Sequence, residues 1–359
     1  MVVSIAIYTL CWLFSYLIVR GRYRKSPKNK MPLITIVVVS LLFTLYNYYL
    51  TTNSTSMALD RQNYLAEFEG LRDSPSLGVI LVQSLIIKLG GGFDALLYFS
   101  SFTCVFLTLF AYRLSKQAVP FTLLLLFVSL YISTSFIAIK QCYTNALSSL
   151  ILVLLIEHKG ALVNMICIFL IFLACVFHSS GFILIPIYIY MMYYNKDLNV
   201  KKVVLLLVFF AIFFLPIMQF FASVVSGFVP LLSNKINEYF LEGSIHAENS
   251  SIITIFKGVN IYYITYIGIK WRNKLKELIP NYDKFLFVSI VCSFLYIMAL
   301  YSYWMSRFMY LFIFVVFIFF SELILYIPQR KKAIIMVFLF TSVITYREWI
   351  LIYLLYGGI

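Results

Sequence analysis

The sequence contains few charged residues. Asp, Glu, Lys and Arg together make up 12% of its 359 residues, whereas hydrophobic residues make up 63% and the mean hydropathy is +0.95. Soluble globular domains carry about 25% charged residues. The shortage of charge therefore excludes a soluble domain of useful size, and it predicts an all-α, polytopic integral membrane protein.

Paired cysteines and clustered metal ligands are also missing from the sequence. The six cysteines lie within or beside apolar runs, without the spacing of a zinc site or a disulfide framework. We therefore expect reduced cysteines that pack against apolar neighbours, and neither a metal ion nor a cofactor. The cysteines are Cys11, Cys104, Cys142, Cys167, Cys175 and Cys292.

Positive charge exceeds negative charge, but its distribution argues against nucleic-acid binding. The formal net charge is +14, and the basic residues cluster in short loops between apolar segments, which is the pattern of membrane topology. The first apolar segment, "VVSIAIYTLCWLFSYLIV", is followed by positive charge and has no small-residue cleavage site. It is predicted to stay in the mature protein as an anchor.

About twelve apolar segments can cross a hydrocarbon layer of about 30 Å, which requires roughly 17 to 25 helical residues, or fewer beside snorkelling ends. Segment 77–89 is predicted not to span, because about 14 helical residues rise only about 21 Å. The predicted spans lie near residues 2–19, 32–50, 93–111, 119–136, 139–156, 161–177, 181–194, 203–222, 252–269, 285–300, 308–326 and 333–350.

Loop charge predicts the orientation of the chain. If segment 77–89 does not span, most of the 28 Lys and Arg residues fall on one side of the membrane. The positive-inside rule then places both termini outside. Residues 1–359 are predicted to form a single transmembrane domain with two sizeable outer loops, 51–92 and 223–251. The first holds the non-spanning helix, and "LLSNKINEYFLEG" in the second predicts a short helix on the membrane surface.

One lysine occupies an unusual place for a charge. In "SFIAIKQCYTNALSSL", Lys140 stands at the outer end of a predicted span, and Gln141, Asn145 and Ser148 or Ser149 follow at helical spacing. In one interpretation Lys140 extends to the outer headgroups and the polar stripe holds helices together. In the other, Lys140 binds an anion, because charges in membrane segments usually mark function.

Two further outward stretches contain groups capable of acid–base chemistry. His178, in the turn "FHSSG", is either a hydrogen-bonded structural residue or a catalytic one. Asp60, in "ALDRQNYLAEFEGLRDSP", could act as a general base. The same stretch also fits a solvated surface helix with local ion pairs, which is the preferred interpretation for Glu67, Glu69 and Asp73.

A basic residue near the end of the chain is surrounded by aromatic residues. In "YSYWMSRFMYLF", Arg307 has Trp304 and Tyr310 as neighbours. An aromatic belt at the membrane interface explains this pattern. A guanidinium beside aromatic faces also suits a sugar attached to phosphate. Both interpretations stay open at this point.

Together these motifs resemble the EpsG-like branch of the Wzy-type polysaccharide polymerases. That family has Asp-Tyr in the first outer loop, Arg-Gln at the start of a central helix, Phe-His-Ser after the next helix, and Arg with Tyr near the end. Here Lys140 stands in place of the usual Arg, and Arg61 in place of the usual Tyr. The matching residues are Asp60 and Tyr64 in "DRQNY", Lys140 and Gln141 in "AIKQ", His178 in "FHSSG", Tyr239 in "KINEYF", and Arg307 and Tyr310 in "SRFMY".

The resemblance implies a metal-independent glycosyltransferase of the bacterial inner membrane. Such an enzyme joins oligosaccharide repeat units carried on undecaprenyl pyrophosphate at the outer face of that membrane, facing the periplasm or the cell exterior, to build O-antigen or capsule. The other expected partners are membrane lipids, a chain-length regulator and a flippase. No nucleic acid is expected.

The resemblance also implies roles for individual residues. His178 or Asp60 accepts a proton as the catalytic base, and His178 is preferred because it is fixed in a turn beside the Lys140 helix, whereas Asp60 is expected in a loop. The basic residues expected to bind pyrophosphate are Lys140, Arg307 and Arg61. The residues expected to bind the sugars are Gln141, Tyr64, Tyr239, Trp304 and Tyr310.

Two other classes of function stay open. A flippase or other transporter could also have about twelve helices, but it should show related halves or matching broken helices, and neither is visible. Another membrane transferase, such as an O-acetyltransferase or an O-antigen ligase, would share the outward His and Arg residues. The product formed from a lipid-linked repeat unit discriminates among the three.

Overall fold

The computed structural model describes the chain in separate stretches. Predicted spans 2–19 and 119–136, most of span 333–350, and the surface helix predicted in loop 223–251 lie outside them. The described residues are 32–52, 58–72, 76–115, 139–193, 198–214, 216–217, 219–220, 223, 258–298, 305–330, 332–337 and 339.

All regular structure in these stretches is helical, and no strand occurs among them. The prediction of an all-α fold is therefore confirmed for this part of the chain. The helices are α1 (Leu33–Thr52), α2 (Ala58–Phe68), α3 (Leu77–Lys88), α4 (Phe93–Leu114), α5 (Ile139–Glu157), α6 (Ala161–Phe177), α7 (Leu184–Tyr193), α8 (Val200–Ile212), α9 (Val259–Leu275), α10 (Tyr282–Met298), α11 (Met305–Phe308) and α12 (Ile313–Tyr326), with 3-10 turns at Ser179–Ile183 and Met309–Leu311.

Helices α4 and α5 are long and apolar enough to cross a membrane, by length and composition, among the residues that the structure describes. They contain 22 and 19 residues, so they rise about 33 and 28 Å at 1.5 Å per residue. Both coincide with predicted spans, 93–111 and 139–156. The total number of spans and their orientation stay predictions.

The short helix α3 corresponds to the segment predicted not to span. Its 12 residues rise only about 18 Å. The Ser76 side chain caps its first turn. The helix ends in a Schellman motif, in which Gly91 N–H donates to the Ile86 carbonyl oxygen and Gly90 N–H to that of Ile87, both at 2.9 Å. Gly90 has φ +76°, a conformation that favours glycine.

The chain divides into two compact units, residues 1–195 with 320–359, and residues 196–319. In the first unit, α5 is the central helix and packs against α4 and α6, while α4 also packs against α1. Helix α5 is buried along nearly its whole length. A hydrophobic cluster from α4 and α5 surrounds the N-terminal end of α5, where Lys140 lies. This end of α5 therefore faces protein.

In the second unit, a charged fork ties α9 to the start of α10. Arg272 donates through Nε and Nη2 to the two carboxylate oxygens of Asp283, each at 2.7 Å. The backbone N–H of Leu198 donates to the same carboxylate at 2.9 Å. Burial raises the pKa of Asp283, but the hydrogen bonds from Arg272 and Leu198 outweigh burial and hold this pKa below its ordinary value. Asp283 precedes the predicted span 285–300.

Candidate functional site

An ion pair joins the first turn of α5 to helix α2. Lys140 Nζ lies 2.8 Å from Glu67 Oε1, and the two side chains are only 14% and 5% exposed. The residues are 73 positions apart in the chain, so tertiary packing creates the contact. Each ion gives up hydration when it is buried, so each depends on the other for compensation.

The ring of Tyr64 lies against the same lysine. Lys140 Nζ is 5.3 Å from the ring centroid, which is within the range of a cation–π contact. Tyr64 and Glu67 are three residues apart in α2, so they share one side of the helix. The structure thus brings together two of the residues singled out from the sequence, Lys140 and Tyr64.

The same side of α2 also contains position 60. Positions 60, 64 and 67 stand at i, i+4 and i+7 of one helix, which is the spacing of a single face. Asp60 therefore belongs to a helix, and its expected location in a loop is corrected. The side chains of Asp60 and Arg61 lie outside the described residues.

Glu67 differs from its sequence-based interpretation as a solvated residue. Its side chain is only 5% exposed, and its second oxygen, Oε2, is buried with no hydrogen-bond partner among the described residues. The neighbouring Glu69 is exposed as expected, and Asp73 lies outside the described residues. Sequence reasoning misses Glu67 because its partner is distant in the chain. The available signal is its spacing from Tyr64.

The polar residues that follow Lys140 face the protein interior. Gln141, Asn145, Ser148 and Ser149 are all buried, and the Ser149 hydroxyl donates to the Asn145 carbonyl oxygen at 3.0 Å. The stripe therefore contributes to helix packing, as one of its two interpretations expects. The Lys140 ammonium is directed to Glu67, which neither interpretation includes.

One carbonyl group connects the Lys140 end of α5 to His178. Thr144, one turn after Lys140, donates its hydroxyl to the Ala174 carbonyl oxygen at 3.1 Å. The backbone N–H of His178 donates to the same oxygen at 3.0 Å. Lys140 and His178 therefore lie at the same end of the packed pair α5 and α6.

The imidazole of His178 caps the 3-10 turn that follows α6. Its Nδ1 accepts a hydrogen bond from the backbone N–H of Ser180 at 3.1 Å, and it lies 2.8 Å from the Ser180 hydroxyl oxygen. A backbone N–H can only donate, so this contact assigns the proton of the neutral ring to Nε2. The nitrogen that could accept a proton in catalysis is thus already in use.

Close packing fixes the turn that carries His178. A Cβ atom on Gly181 would lie 2.7 Å from backbone atoms of α6, so a larger residue would displace backbone. The Ser76 hydroxyl donates to the Phe177 carbonyl oxygen at 2.7 Å. The Tyr143 ring stacks on the Phe177 ring with 4.3 Å between centroids. Contacts from α3 and α5 therefore hold the end of α6 that precedes His178.

The remaining residues predicted for the site stay predictions. Tyr239, Trp304 and the side chain of Arg307 lie outside the described residues. Tyr310 is half-buried in the 3-10 turn Met309–Leu311 of the second unit. In the part of the chain that the structure describes, no group of three or more His, Cys, Asp or Glu side chains could hold a metal ion.

The described side chains at this end of α5 can contact an anion, an apolar ring face and hydrogen-bonding groups of a ligand. The ammonium of Lys140 can bind an anion, and the Tyr64 ring offers an apolar face. The Glu67 carboxylate can accept hydrogen bonds, and the His178 imidazole can donate one through Nε2–H. All four side chains belong to the first compact unit.

Comparison with known proteins identifies one family. A model of the EpsG family matches residues 50–357, which is most of the chain and includes every residue described above for the site. No curated protein and no solved structure matches the sequence.

Proposed function

Because the chain belongs to the EpsG family, which indicates a membrane protein of the polysaccharide-polymerase type, we propose that it joins oligosaccharide repeat units carried on undecaprenyl diphosphate. The reaction takes place at the outer face of the bacterial inner membrane. The observation that carries this proposal is the largely buried side chain of Lys140 at the end of the central helix α5, with its ammonium beside the Tyr64 ring.

The reaction creates a strongly charged leaving group. A hydroxyl oxygen of one repeat unit attacks the anomeric carbon of the growing chain, and the bond from that carbon to the phosphate oxygen breaks. Undecaprenyl diphosphate leaves with the bonding electrons, and the hydroxyl proton passes to a base. The negative charge that develops on the diphosphate is stabilised by a positive group fixed in advance in a site of low dielectric constant.

Lys140 holds the leaving diphosphate in this proposal, together with Arg61 and Arg307. Each charge-assisted hydrogen bond contributes about 1.5 to 3 kcal/mol. Because the charge grows in the transition state, loss of one contact is expected to slow turnover roughly 10²- to 10³-fold. The residues proposed to contact the sugars are Tyr64, Tyr239, Trp304 and Tyr310, whereas the buried Gln141 belongs to the packing stripe.

Asp60 is the preferred proton acceptor. Nδ1 of His178 accepts a hydrogen bond from the Ser180 N–H. His178 could therefore act as a base only if this capping hydrogen bond broke. Position 60 shares a helix face with Tyr64 and Glu67, which both contact Lys140. This preference reverses the sequence-based one. His178 is proposed to donate a hydrogen bond through Nε2–H to a phosphate or sugar oxygen.

Purified protein reconstituted with lipid-linked repeat units tests the proposal. A polymerase produces a ladder of products and releases one undecaprenyl diphosphate for each bond formed. Movement of repeat units across the membrane without linkage would identify a transporter. Modified single units would identify another transferase. Either of these two results contradicts the proposal.

Complementation of a deletion strain tests the assignment of the base. Asp60→Asn is expected to abolish polymer, because the amide cannot accept the proton. His178→Asn retains an acceptor for the Ser180 N–H and is expected to lower the amount of polymer without abolishing it. Normal polymer from the Asp60 variant would exclude Asp60 as the base. Normal polymer length and amount from His178→Ala would remove His178 from the site.

A further inference from the structure

The lysine proposed to bind diphosphate already has an internal anion. Glu67 Oε1 lies 2.8 Å from Lys140 Nζ, and the Glu67 side chain is only 5% exposed. Its other oxygen, Oε2, is buried without a hydrogen-bond partner among the described residues. An ionised carboxylate offers about four acceptor sites, so Glu67 is buried with its hydrogen-bonding capacity incompletely used. A native buried polar atom without a partner calls for an explanation.

The surroundings of the proposed site suggest what this anion does. Phospholipid headgroups with one negative charge, such as phosphatidylglycerol, lie at the same level of the membrane as the diphosphate of the carrier lipid. A basic side chain at the membrane surface attracts such headgroups. A site that binds the carrier must therefore select a diphosphate from a large excess of singly charged phosphates.

We propose that Glu67 is a specificity-determining residue that keeps Lys140 neutralised until a ligand with more than one negative charge displaces it. The inference rests on the proposed function, in which Lys140 binds the carrier diphosphate. A headgroup with a single negative charge gains nothing by displacing Glu67, because it replaces one anion at Lys140 by another. A diphosphate brings additional charge and several acceptor oxygens, so it can compete with the carboxylate. Glu67 acts through Lys140 and is a positioning residue.

The geometry allows this exchange. The Lys140 side chain is 14% exposed and the Glu67 side chain 5%, so the lysine is the more accessible partner of the pair. The Tyr64 ring, 5.3 Å from Lys140 Nζ, remains a partner for the ammonium when the carboxylate leaves. The contact with Glu67 is made through a single oxygen, so one bond is exchanged.

Binding of soluble anions to the purified full-length protein tests the inference. Inorganic pyrophosphate and inorganic phosphate are titrated calorimetrically into protein held in phosphatidylcholine nanodiscs, at a pH below the second pKa of phosphate, where the phosphate ion carries one negative charge. Glu67→Gln is expected to strengthen the binding of both anions, and more so for phosphate. The preference for pyrophosphate should then fall by about tenfold, equivalent to about 1.4 kcal/mol. Lys140→Gln should abolish the binding of both.

A matched control separates this effect from a general loss of negative charge. Glu69→Gln makes the same chemical change two residues away at an exposed position, and it is expected to leave both affinities unchanged. Nanodiscs that contain phosphatidylglycerol then separate headgroups from free phosphate. The added lipid should weaken pyrophosphate binding more in the Glu67→Gln protein than in the Glu69→Gln protein.

Two results from the glutamine variants overturn the inference. One is an unchanged preference for pyrophosphate in the Glu67→Gln protein, and the other is undiminished binding in the Lys140→Gln protein. If the Glu67→Gln protein does not fold, Glu67→Asp gives the same test, because the shorter side chain moves the carboxylate away from Lys140 by one methylene group. The expected gain in anion affinity is then smaller. The absence of any gain there also overturns it.

The binding results are independent of polymerisation. If Glu67→Gln changes the anion preference but the wild-type protein forms no polymer, the proposed function is contradicted. The role of Glu67 in anion selectivity is then still supported. Polymer formation with unchanged preference contradicts only the role of Glu67.

Discussion

The ion pair between Lys140 and Glu67 contributes to the stability of the protein, and its lysine is also the residue proposed to bind an anion. Both side chains are largely buried, so each charge compensates the other for lost hydration. Removal of one partner leaves a buried charge without compensation, whereas removal of both does not. Stability and anion binding can therefore be separated at this site by comparing single and double variants.

The Lys140→Gln variant should be less stable than the wild-type protein by about 3 to 5 kcal/mol, because Glu67 stays buried without a cation. Lys140→Gln with Glu67→Gln places two neutral amides in contact and should regain most of that loss. Chemical unfolding in detergent measures the difference. A double variant as unstable as the single one would show that the pair is not the source of the effect.

The side chain of His178 is expected to contribute to stability as a cap. His178→Ala removes the acceptor for the Ser180 N–H and should cost about 1 kcal/mol. Asn at the same position supplies a side-chain oxygen that can accept this hydrogen bond, so His178→Asn should be the more stable variant. Thermal unfolding compares the two, and equal melting temperatures would argue against the capping role.

Single residues differ in how well the sequence reveals them. From the sequence, Tyr64 is singled out only by the family resemblance, whereas Lys140 can be predicted because a lysine between apolar segments is unusual. Glu67 cannot, because the pattern around it also fits a solvated helix and its partner is 73 positions away. The cap at His178 depends on backbone conformation after α6, which residue type alone does not determine.

At the scale of elements, the turn between α6 and α7 depends on glycine. In Gly181→Ala the new Cβ would lie 2.7 Å from backbone atoms of α6. Since backbone cannot move as a flexible side chain does, we expect a loss of about 1 to 3 kcal/mol. Gly92→Ala is the matched control, because nothing lies within 4 Å of its new Cβ and Gly92 has a negative φ. Equal thermal stabilities of the two variants would contradict this packing.

The fork between Arg272 and Asp283 predicts a dependence of stability on pH. Asp283 has a pKa below its ordinary value, so it favours folding when ionised. This contribution is present in full above about pH 4 and is lost as the pH falls through the lowered pKa. Asp283→Asn should therefore lower the melting temperature at pH 7 and reduce the further fall on acidification. An unchanged acid profile would contradict the assignment.

A helix can continue past its apolar segment where the polar side chains beyond that segment have partners. Helix α9 continues to Leu275, beyond the predicted span 252–269, because its charged residues are satisfied locally. Arg272 pairs with Asp283, and Lys274 Nζ lies 5.2 Å from the Trp271 ring. The end of α3, by contrast, can be predicted from the sequence, because the glycines at positions 90 to 92 favour a turn.

The orientation of the whole molecule follows from loop charge and is tested by accessibility. Glu69 and Lys159 are both exposed and are predicted to lie on opposite sides of the membrane. In a variant whose natural cysteines are replaced, Glu69→Cys should react with an impermeant thiol reagent in intact cells. Lys159→Cys should react only after the membrane is opened. The reverse pattern would invert the predicted topology and place Lys140 on the cytoplasmic side.

The rate of polymer formation by the Lys140→Gln and Glu67→Gln double variant tests the central claim most directly. This variant is expected to fold, so its rate reports the loss of the cation. With lipid-linked repeat units in proteoliposomes, it should release undecaprenyl diphosphate roughly 10²- to 10³-fold more slowly than the wild-type protein. A folded double variant that polymerises at the wild-type rate would show that Lys140 does not hold the leaving diphosphate.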